Sequence, residues 1–316
     1  MPNKVCSTLG LDRNEWLSYR RTGIGGSDAA VVMGLNPYRS AVELYADKKG
    51  LIPDKEDNEA MRTGRDLEDY VAHRFEEATG KKVRRTNYMW RSDDHPFMIA
   101  DIDREIVGEN AGLECKTTRN FGKSKFSKGE IPLTYYVQCM HYISVMGYDR
   151  MYLAVLDLGV GFHYFVIERN EDEIMALIKS EADFWRLVEN ETPPDGDGSE
   201  SADAAIEAIC GQKSDTGEDI NLLDMENTID EIIRLSNEKK AIETQLKAAQ
   251  QKVQAAIGAN THGSSIKYTV TWRYYPRSFL DTAQLKVEYP QAYDACQRIT
   301  KYRKLNIKEK NNDNDN

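Results

Sequence analysis

The chain has 316 residues, 40% of them hydrophobic, and a formal net charge of −10 at pH 7. This apolar content supports a packed core. No apolar run approaches the roughly 18 residues of a membrane span, so no transmembrane helix is expected, and no apolar segment typical of a secretory signal is evident at the start. The negative charge argues against a protein that coats nucleic acid, and five scattered cysteines without a Cys-x-x-Cys pair predict reduced thiols and argue against zinc or iron–sulfur sites.

A short helix and a glycine-rich turn begin the predicted fold. Residues 13–21 read as a helix, and the sequence RTGIGGSD then leads into an apolar helix with Ser27 placed as its N-cap. A helix start offers free N–H groups to an anion, and Arg21 can add a charge-assisted contact to a phosphate. A capped helix that packs tightly at its glycines is the alternative interpretation.

Two helices and a strand follow. Residues 40–50 and 63–79 have helical spacing, and the second helix contains Glu68 and ends at Gly80. Residues 82–90 read as one strand. A turn at Asp93 to Pro96 and a short apolar stretch then lead to Asp103.

Two short strands around a Gly/Asn turn carry the clearest chemical signal. In the second strand, residues 112–116, alternation places Glu114 and Lys116 on one face and Cys115 on the other. If the hairpin brings Asp103 to the same face, two carboxylates and an ammonium converge. Such a set suits Mg²⁺ or Mn²⁺ and can cleave phosphodiesters, with the lysine positioning a metal-bound water. A solvated Glu-x-Lys surface pair is the alternative.

A basic loop follows this strand. From Lys116 to Lys128 there is no acidic residue, and Phe121 and Phe126 interleave with the basic side chains, which are Lys116, Arg119, Lys123, Lys125 and Lys128. Such a loop can grip a phosphate backbone or stack on an unpaired base. An ordinary solvated loop fits the same pattern.

The next elements complete an α/β pattern. Residues 132–146 predict an amphipathic helix in which Gln138 is either a satisfied amide or a hydrogen-bond partner of the site. Strands at 151–156 and 161–168 and a helix at 171–187 follow. This order predicts an α/β core with a mixed central sheet.

The last third of the chain differs in composition. Residues 191–226 are predicted as an acidic linker with room for one short helix. Residues 227–257 have helical spacing that fits a coiled-coil arm or a helix that packs on the core, and a last helix is predicted at 282–300. We therefore divide the chain into a core at 1–190, this linker, an extension at 227–307 and a disordered tail at 308–316. Lys267, Arg273 and Arg277 lie among aromatic residues and can touch DNA, although a packed hairpin is the simpler prediction.

Five segments in this order resemble the YqaJ-type viral recombinases, namely RTGIGGSDAA, TGRDLEDYV, HPFMIADID, LECKT and YYVQCMHY. These proteins group with the phage lambda-type exonucleases in the PD-(D/E)xK nuclease superfamily. The resemblance covers residues 13–190 and implies a restriction-endonuclease-like core flanked by helices, with a C-terminal helical and hairpin extension. It also implies a Mg²⁺-dependent 5′-to-3′ double-stranded DNA exonuclease of phage or prophage recombination.

The resemblance assigns roles to individual residues. It makes Asp103, Glu114 and the backbone carbonyl of Cys115 metal ligands and Lys116 the catalytic lysine, with Glu68 and Gln138 as further catalytic residues. Arg21 and Ser27 match phosphate-binding residues, which Arg119, Lys123 and Lys125 of the basic loop would supplement. Asp101 competes with Asp103 for the ligand position. Arg104 stands where many relatives have glycine, which puts the geometry of that turn in question.

The resemblance also implies partners. Mg²⁺ would be the cofactor, with Mn²⁺ as a substitute, and double-stranded DNA ends the substrate. The 3′ single-stranded overhangs would serve a single-strand annealing recombinase of the RecT or Bet type. A homo-oligomer, such as a ring-shaped trimer, in the bacterial host cytoplasm and away from membranes is expected. Two alternatives remain open. One is an endonuclease, because endonucleases and exonucleases of this superfamily share their metal chemistry, and the other is a non-catalytic DNA-binding protein that keeps the fold.

Overall fold

The computed structural model describes residues 2–119, 126–211, 219–298 and 303–309, which fall into two compact units, Met1–Thr216 and Gly217–Asn316. The helices are α1 (Arg13–Arg21), α2 (Gly26–Val32), α3 (Ala41–Lys48), α4 (Glu59–Thr79), α5 (Leu133–Met146), α6 (Glu171–Glu189), α7 (Glu200–Gly211), α8 (Glu226–Ile257), α9 (Thr282–Glu288) and α10 (Pro290–Cys296). The strands are β1 (Asn3–Ser7), β2 (Val83–Arg84), β3 (Tyr88–Arg91), β4 (Ile99–Asp101), β5 (Arg104–Ile106), β6 (Ala111–Thr118), β7 (Arg150–Asp157), β8 (Gly161–Glu168), β9 (His262–Ser264) and β10 (Thr269–Thr271).

A five-stranded sheet of order β2-β5-β6-β7-β8 forms the centre of the first unit. The β6–β7 pair is parallel and the other pairs are antiparallel, because α5 carries the chain across between β6 and β7. Side chains of α4 pack on one face of the sheet, where Phe75 meets Leu113. Side chains of α5 pack on the other face, where Ile143 meets Leu153. The predicted α/β core with a mixed central sheet flanked by helices is confirmed.

The single strand predicted at residues 82–90 is divided between two sheets. β2 pairs with β5 in the central sheet, whereas β3 lies between β1 and β4 in a three-stranded sheet. Asn87 joins them with φ of 52°, a left-handed conformation that asparagine tolerates better than most residues. The prediction of one continuous strand is therefore wrong, because the chain changes sheets at this residue.

The glycine-rich turn begins α2 in a different register from the predicted one. Gly25, not Ser27, is the N-cap, and the Asp28 carboxylate accepts a hydrogen bond from the Gly25 N–H at 3.1 Å. Gly26 brings α2 close to α5, since a Cβ at this position would lie 2.6 Å from the Tyr142 ring. The tight packing proposed for these glycines is therefore present.

A packed helix occupies part of the segment predicted as a linker. Ala202 and Ala205 of α7 are buried against Val42 and Ala46 of α3. The Ser201 hydroxyl also donates to the Ser40 hydroxyl at 3.0 Å. The short helix allowed within the predicted linker is therefore α7, and the small apolar residues among its acidic ones give it a narrow packing face. The described residues up to 211 thus belong to the first unit.

The second unit contains α8, the β9–β10 hairpin and two short helices. The predicted helix at 227–257 agrees with α8, whose Leu235, Ile242, Leu246 and Val253 are 45 to 63% exposed. The predicted helix at 282–300 is broken before Pro290, which cannot donate the hydrogen bond that a continuous helix requires. Most of the predicted disordered tail lies outside the described residues.

Among the described helices, none is both long and apolar enough to cross a membrane.

Candidate active site

The two carboxylates predicted to bind a metal meet at β6. Glu114 lies on β6 and is 3% exposed, whereas Asp103 lies in the short loop between β4 and β5. The Cys115 N–H donates to the Asp103 Oδ2 at 2.7 Å, which fixes the loop against the strand. The hairpin thus brings Asp103 beside Glu114.

Lys116 and Gln138 both contact Glu114. The Lys116 Nζ lies 2.5 Å from the Glu114 Oε1, and the Gln138 Nε2 donates to the same oxygen at 2.6 Å. Gln138 reaches β6 because α5 crosses over this face of the sheet. Cys115 packs with the cluster on the opposite face, as strand alternation predicts.

The second oxygen of Glu114 lacks a protein partner. Its Oε2 is buried without a hydrogen bond among the described residues, because both donors reach Oε1. Burying an uncompensated carboxylate oxygen is costly, so this atom is suited to receive a positive ligand.

The pKa shifts of the site residues also indicate a position suited to a cation. Burial and the neighbouring Glu114 and Glu68 charges raise the pKa of Asp103 well above its usual range. Burial likewise raises the pKa of Glu114. For Lys116, burial alone would lower the pKa, but the Glu114 and Asp103 charges raise it above the usual lysine value. The ammonium therefore stays charged while the carboxylates repel each other.

Glu68 lies near this centre but is engaged by an arginine. The Arg104 Nη1 donates to the Glu68 Oε1 and to the Asp103 carbonyl oxygen, both at 2.5 Å. The Nη2 of Arg104 binds Asp69 at 2.5 Å. Arg104 therefore ties α4 to the Asp103 loop and leaves the Asp103 side chain facing β6.

Asp101 has a separate partner. Its Oδ2 accepts a hydrogen bond from the Trp16 Nε1 at 2.8 Å, and burial raises its pKa. In this structure it is Asp103, not Asp101, that accepts the backbone hydrogen bond from β6.

The structure places Arg21 away from Ser27. The Arg21 guanidinium donates to the Asp47 carbonyl oxygen at 3.0 Å and pairs with the Asp54 carboxylate. Arg20 occupies the predicted position instead, with its Nη2 3.0 Å from the Ser27 hydroxyl. Of the two phosphate-binding candidates, Ser27 therefore lies beside Arg20 and not beside Arg21.

Arg20 is held in place from two sides. It pairs with the buried Asp28 at 3.0 Å and lies over the Trp16 ring at 5.1 Å. Burial alone would raise the pKa of Asp28, but Arg20, Lys48 and Arg39 lower it strongly. Arg39 also pairs with Glu43 and Asp47, so Arg20 is the cation of this cluster that reaches Ser27.

The predicted basic loop is described only at its ends. Arg119 follows β6, whereas Lys123 and Lys125 lie outside the described residues. Phe126 is buried and stacks on Tyr135 at 6.0 Å, and the Tyr135 ring lies 5.4 Å from the Lys116 Nζ. The start of α5 is thereby packed next to the catalytic candidate.

The donor set fits a hard divalent cation with few protein ligands. In the described part of the chain, no group of three or more His, Cys, Asp or Glu side chains is arranged to hold a metal. Two carboxylates and a backbone carbonyl remain as candidate ligands, which suits Mg²⁺ because it retains several waters. The unpartnered oxygen of Glu114 supports this fit.

Sequence reasoning missed Arg20, Tyr142 and the part played by Arg104. A signal for Arg20 was present, because Trp16 and Arg20 are four residues apart and therefore share one face of α1. Tyr142 is likewise four residues after Gln138, whose Nε2 donates to the Tyr142 hydroxyl at 3.2 Å. No sequence signal indicated that Arg104 would reach Glu68.

Known proteins resemble the chain over two different spans. Residues 15–149 match the YqaJ-like viral recombinase domain. A Bacillus subtilis (strain 168) protein described as "Uncharacterized protein YqaJ" is 34% identical over 304 residues, which are 95% of this chain and 95% of that protein.

Solved structures resemble just over half of the chain, at lower identity. An alkaline exonuclease from Laribacter hongkongensis is 19% identical, with a TM-score of 0.47 over 56% of this chain and 93% of its own. A phage-related exonuclease from Haemophilus somnus 129PT is 13% identical, with a TM-score of 0.44 over 54% of this chain and 96% of its own.

Proposed function

Because this chain belongs to the YqaJ-like viral recombinase family, we propose that it is a metal-dependent deoxyribonuclease that digests linear double-stranded DNA from its 5′ ends. The observation that carries the proposal is the convergence of Asp103, Glu114 and Lys116, with Gln138 behind them, at β6. Two carboxylates beside a charged lysine form a set suited to phosphodiester hydrolysis.

Asp103, Glu114 and the carbonyl of Cys115 would hold the metal. Mg²⁺ is the proposed ion and Mn²⁺ a substitute, because both prefer oxygen ligands. When bound, such an ion would polarise the scissile phosphate and lower the pKa of a bound water.

The remaining side chains would position the reactants. Gln138 and Lys116 hold the Glu114 carboxylate in one orientation through its Oε1. The ammonium of Lys116 can orient the attacking water and stabilise the negative charge that develops on the phosphate. Glu68, fixed by Arg104, adds negative charge at the edge of the same centre.

The terminal phosphate would bind beside Ser27. A guanidinium presents several N–H donors in a plane, a geometry that matches phosphate oxygens. Arg20 contacts the Ser27 hydroxyl as well as Asp28, whereas Arg21 contacts Asp47 and Asp54, so we assign the phosphate contact to Arg20 with Ser27. Arg119, Lys123 and Lys125 would add contacts to the DNA backbone.

Membership of this family also suggests the product, the partner, the assembly and the cellular location of the enzyme. Digestion of one strand from each 5′ end leaves 3′ single-stranded overhangs, and a single-strand annealing recombinase of the RecT or Bet type would act on them. Assembly into a ring-shaped trimer would keep the enzyme on its DNA. The bacterial host cytoplasm is the proposed location.

Digestion of linear and covalently closed circular duplexes of the same sequence tests the proposal. With Mg²⁺, linear DNA that carries 5′-phosphates should be degraded from 5′ to 3′, and the closed circle should remain intact. Chelation of the metal should stop digestion. Equal cutting of closed circles would instead establish an endonuclease, and no cutting of either form would leave a DNA-binding protein.

A further inference from the structure

The second unit exposes a series of aromatic side chains in and after the β9–β10 hairpin. Aromatic rings carry large apolar areas that folded proteins usually bury. Here the exposed fractions of Tyr268, Trp272, Tyr274, Tyr275 and Phe279 are 71, 47, 104, 67 and 81%. A concentration of exposed rings of this kind usually marks a binding surface.

Packing of the hairpin does not account for these rings. Within the hairpin, Gly263 of β9 pairs with Val270 of β10. Gly263 also lies close to the end of α8, since a Cβ at this position would be 3.5 Å from the buried Ile257. The hairpin expected from the sequence is present, and its Gly263 packs against the end of α8. The aromatic side chains are left at the surface.

The charge of this region is opposite to that of the whole chain. From Thr244 to Leu280, here called the acid-free segment, there is no Asp or Glu, and there are five basic residues, which are Lys247, Lys252, Lys267, Arg273 and Arg277. The chain as a whole has a net charge of −10. The segment is thus a local positive region that attracts phosphates.

One of its arginines is already positioned beside a ring. The Arg273 Nε donates to the Tyr275 hydroxyl at 2.9 Å, and the guanidinium carbon lies 5.0 Å from the centre of the Tyr275 ring. The remaining N–H groups of Arg273 can still donate to a ligand. Rings beside guanidinium groups are the combination that proteins use to bind single-stranded nucleic acid.

A protein partner is the competing occupant, because Tyr, Trp and Arg are also enriched at protein interfaces. A protein surface normally presents both charge signs, whereas an acid-free segment of this length complements a polyanion. A single strand fits better than a duplex, because exposed rings stack on bases that are not already paired and stacked.

We propose that the acid-free segment binds single-stranded DNA, with Trp272 and Tyr274 stacking on bases and Arg273 and Arg277 contacting phosphates. This site lies outside the proposed nuclease centre. Its occupancy requires neither a metal nor cleavage.

Fluorescence anisotropy of the full chain in EDTA tests the proposal, with a labelled oligothymidylate of about 20 nucleotides, longer than one typical binding site. The double variant Trp272→Ala, Tyr274→Ala should bind about tenfold more weakly or worse, because each stacked base contributes strongly. Tyr289→Ala is the matched control, since Tyr289 is 61% exposed in the same unit but outside the segment. It should bind like the unaltered protein.

A second pair of substitutions tests the phosphate contacts. Arg273→Ala with Arg277→Ala should reduce the slope of log affinity against log salt by about 1.4, or roughly 0.7 per lost phosphate contact. Circular dichroism of each variant would show whether α8 is retained. Unchanged oligonucleotide affinity in both double variants would overturn the proposal. So would ring variants that bind DNA normally but change the sedimentation of the protein, because the rings would then mediate self-association.

Discussion

At the scale of single residues, the candidate site is organised around one oxygen of Glu114. Lys116 and Gln138 both bind Oε1, and Oε2 is buried without a partner among the described residues. Asp103 lies alongside with its pKa raised by burial and by Glu114. The metal-free site is therefore electrostatically unfavourable, and a bound cation would relieve it.

Asp103→Asn should abolish cleavage and stabilise the metal-free protein. Because folding raises the pKa of Asp103 above its ordinary value of 3.8, the protein loses stability as the pH rises from 3.8 through the folded-state pKa. At neutral pH Asp103 therefore destabilises the fold. Asparagine removes that charge and can still accept the Cys115 N–H. Calorimetry in EDTA should show Tm higher by about 2 °C or more. A lower Tm would show that the Asp103 charge stabilises the empty site.

Arg20 and Arg21 can be distinguished by matched substitutions. Arg20→Lys keeps a charge beside Asp28 but loses the planar set of donors, so the rate ratio between 5′-phosphorylated and 5′-hydroxyl duplex ends should fall roughly tenfold, as expected for a loss of about 1.4 kcal/mol. Arg21→Lys should leave that ratio unchanged, because Arg21 contacts Asp47 and Asp54. The reverse result would return the phosphate pocket to Arg21.

At the scale of elements, α5 connects the parts of the site. Its Gln138 holds Glu114, and its Tyr142 packs on Gly26 of α2. Its buried His141 lies 2.8 Å from Glu181 of α6 and 2.9 Å from the carbonyl oxygen of Ile99 on β4. One helix thus fixes the metal candidates, the glycine turn and the strand that leads to Asp103.

The His141–Glu181 pair should make stability depend on pH. Burial alone would lower the pKa of His141, but the Glu181 charge and the hydrogen bonds raise it above 6.5. The native state therefore keeps a proton that the unfolded state loses, so the free energy of unfolding should fall as the pH rises from about 6 to 8. The slope can reach about 1.4 kcal/mol per pH unit. Urea unfolding at several pH values measures it.

Glu181→Gln should flatten this slope because it removes the charge that raises the His141 pKa. His73→Gln is the control, since His73 is exposed on α4 and its ion pair with Glu77 is solvated. The assignment would be wrong if the slope of the Glu181→Gln protein matched that of the unaltered chain.

At the scale of the whole molecule, the buried core belongs almost entirely to the first unit. Among the described residues, every buried hydrophobic side chain except Ile257 lies before residue 212. A chain ending at Thr216 should therefore fold cooperatively and digest linear duplex DNA. Circular dichroism melting and a digestion assay measure the two properties.

A chain ending at Asn190, the core boundary predicted from the sequence, provides the comparison. It lacks α7 and uncovers Val42 and Ala46, so its Tm should be lower by roughly 4 °C or more than that of the chain ending at Thr216. Equal melting temperatures would show that α7 contributes nothing to the first unit.

The sequence alone determined the features that depend on local pattern. Strand alternation placed Glu114 and Lys116 on one face of β6, helical spacing predicted α4, α5, α6 and α8, and the order of elements predicted the mixed sheet. These predictions succeeded because alternation and helical periodicity are set by the backbone geometry of a few neighbouring residues.

The tertiary structure decided which distant side chains meet. It placed Arg20 beside Ser27, connected Arg104 to Glu68, divided residues 82–90 between two sheets and packed α7 on α3. Each outcome depends on how helices and sheets pack against one another. Arg20 and Arg21, for example, are adjacent and have the same side chain, but the helix points their side chains in different directions, so they contact different residues. Local spacing therefore indicated the chemistry of the site, whereas packing selected the residues that assemble it.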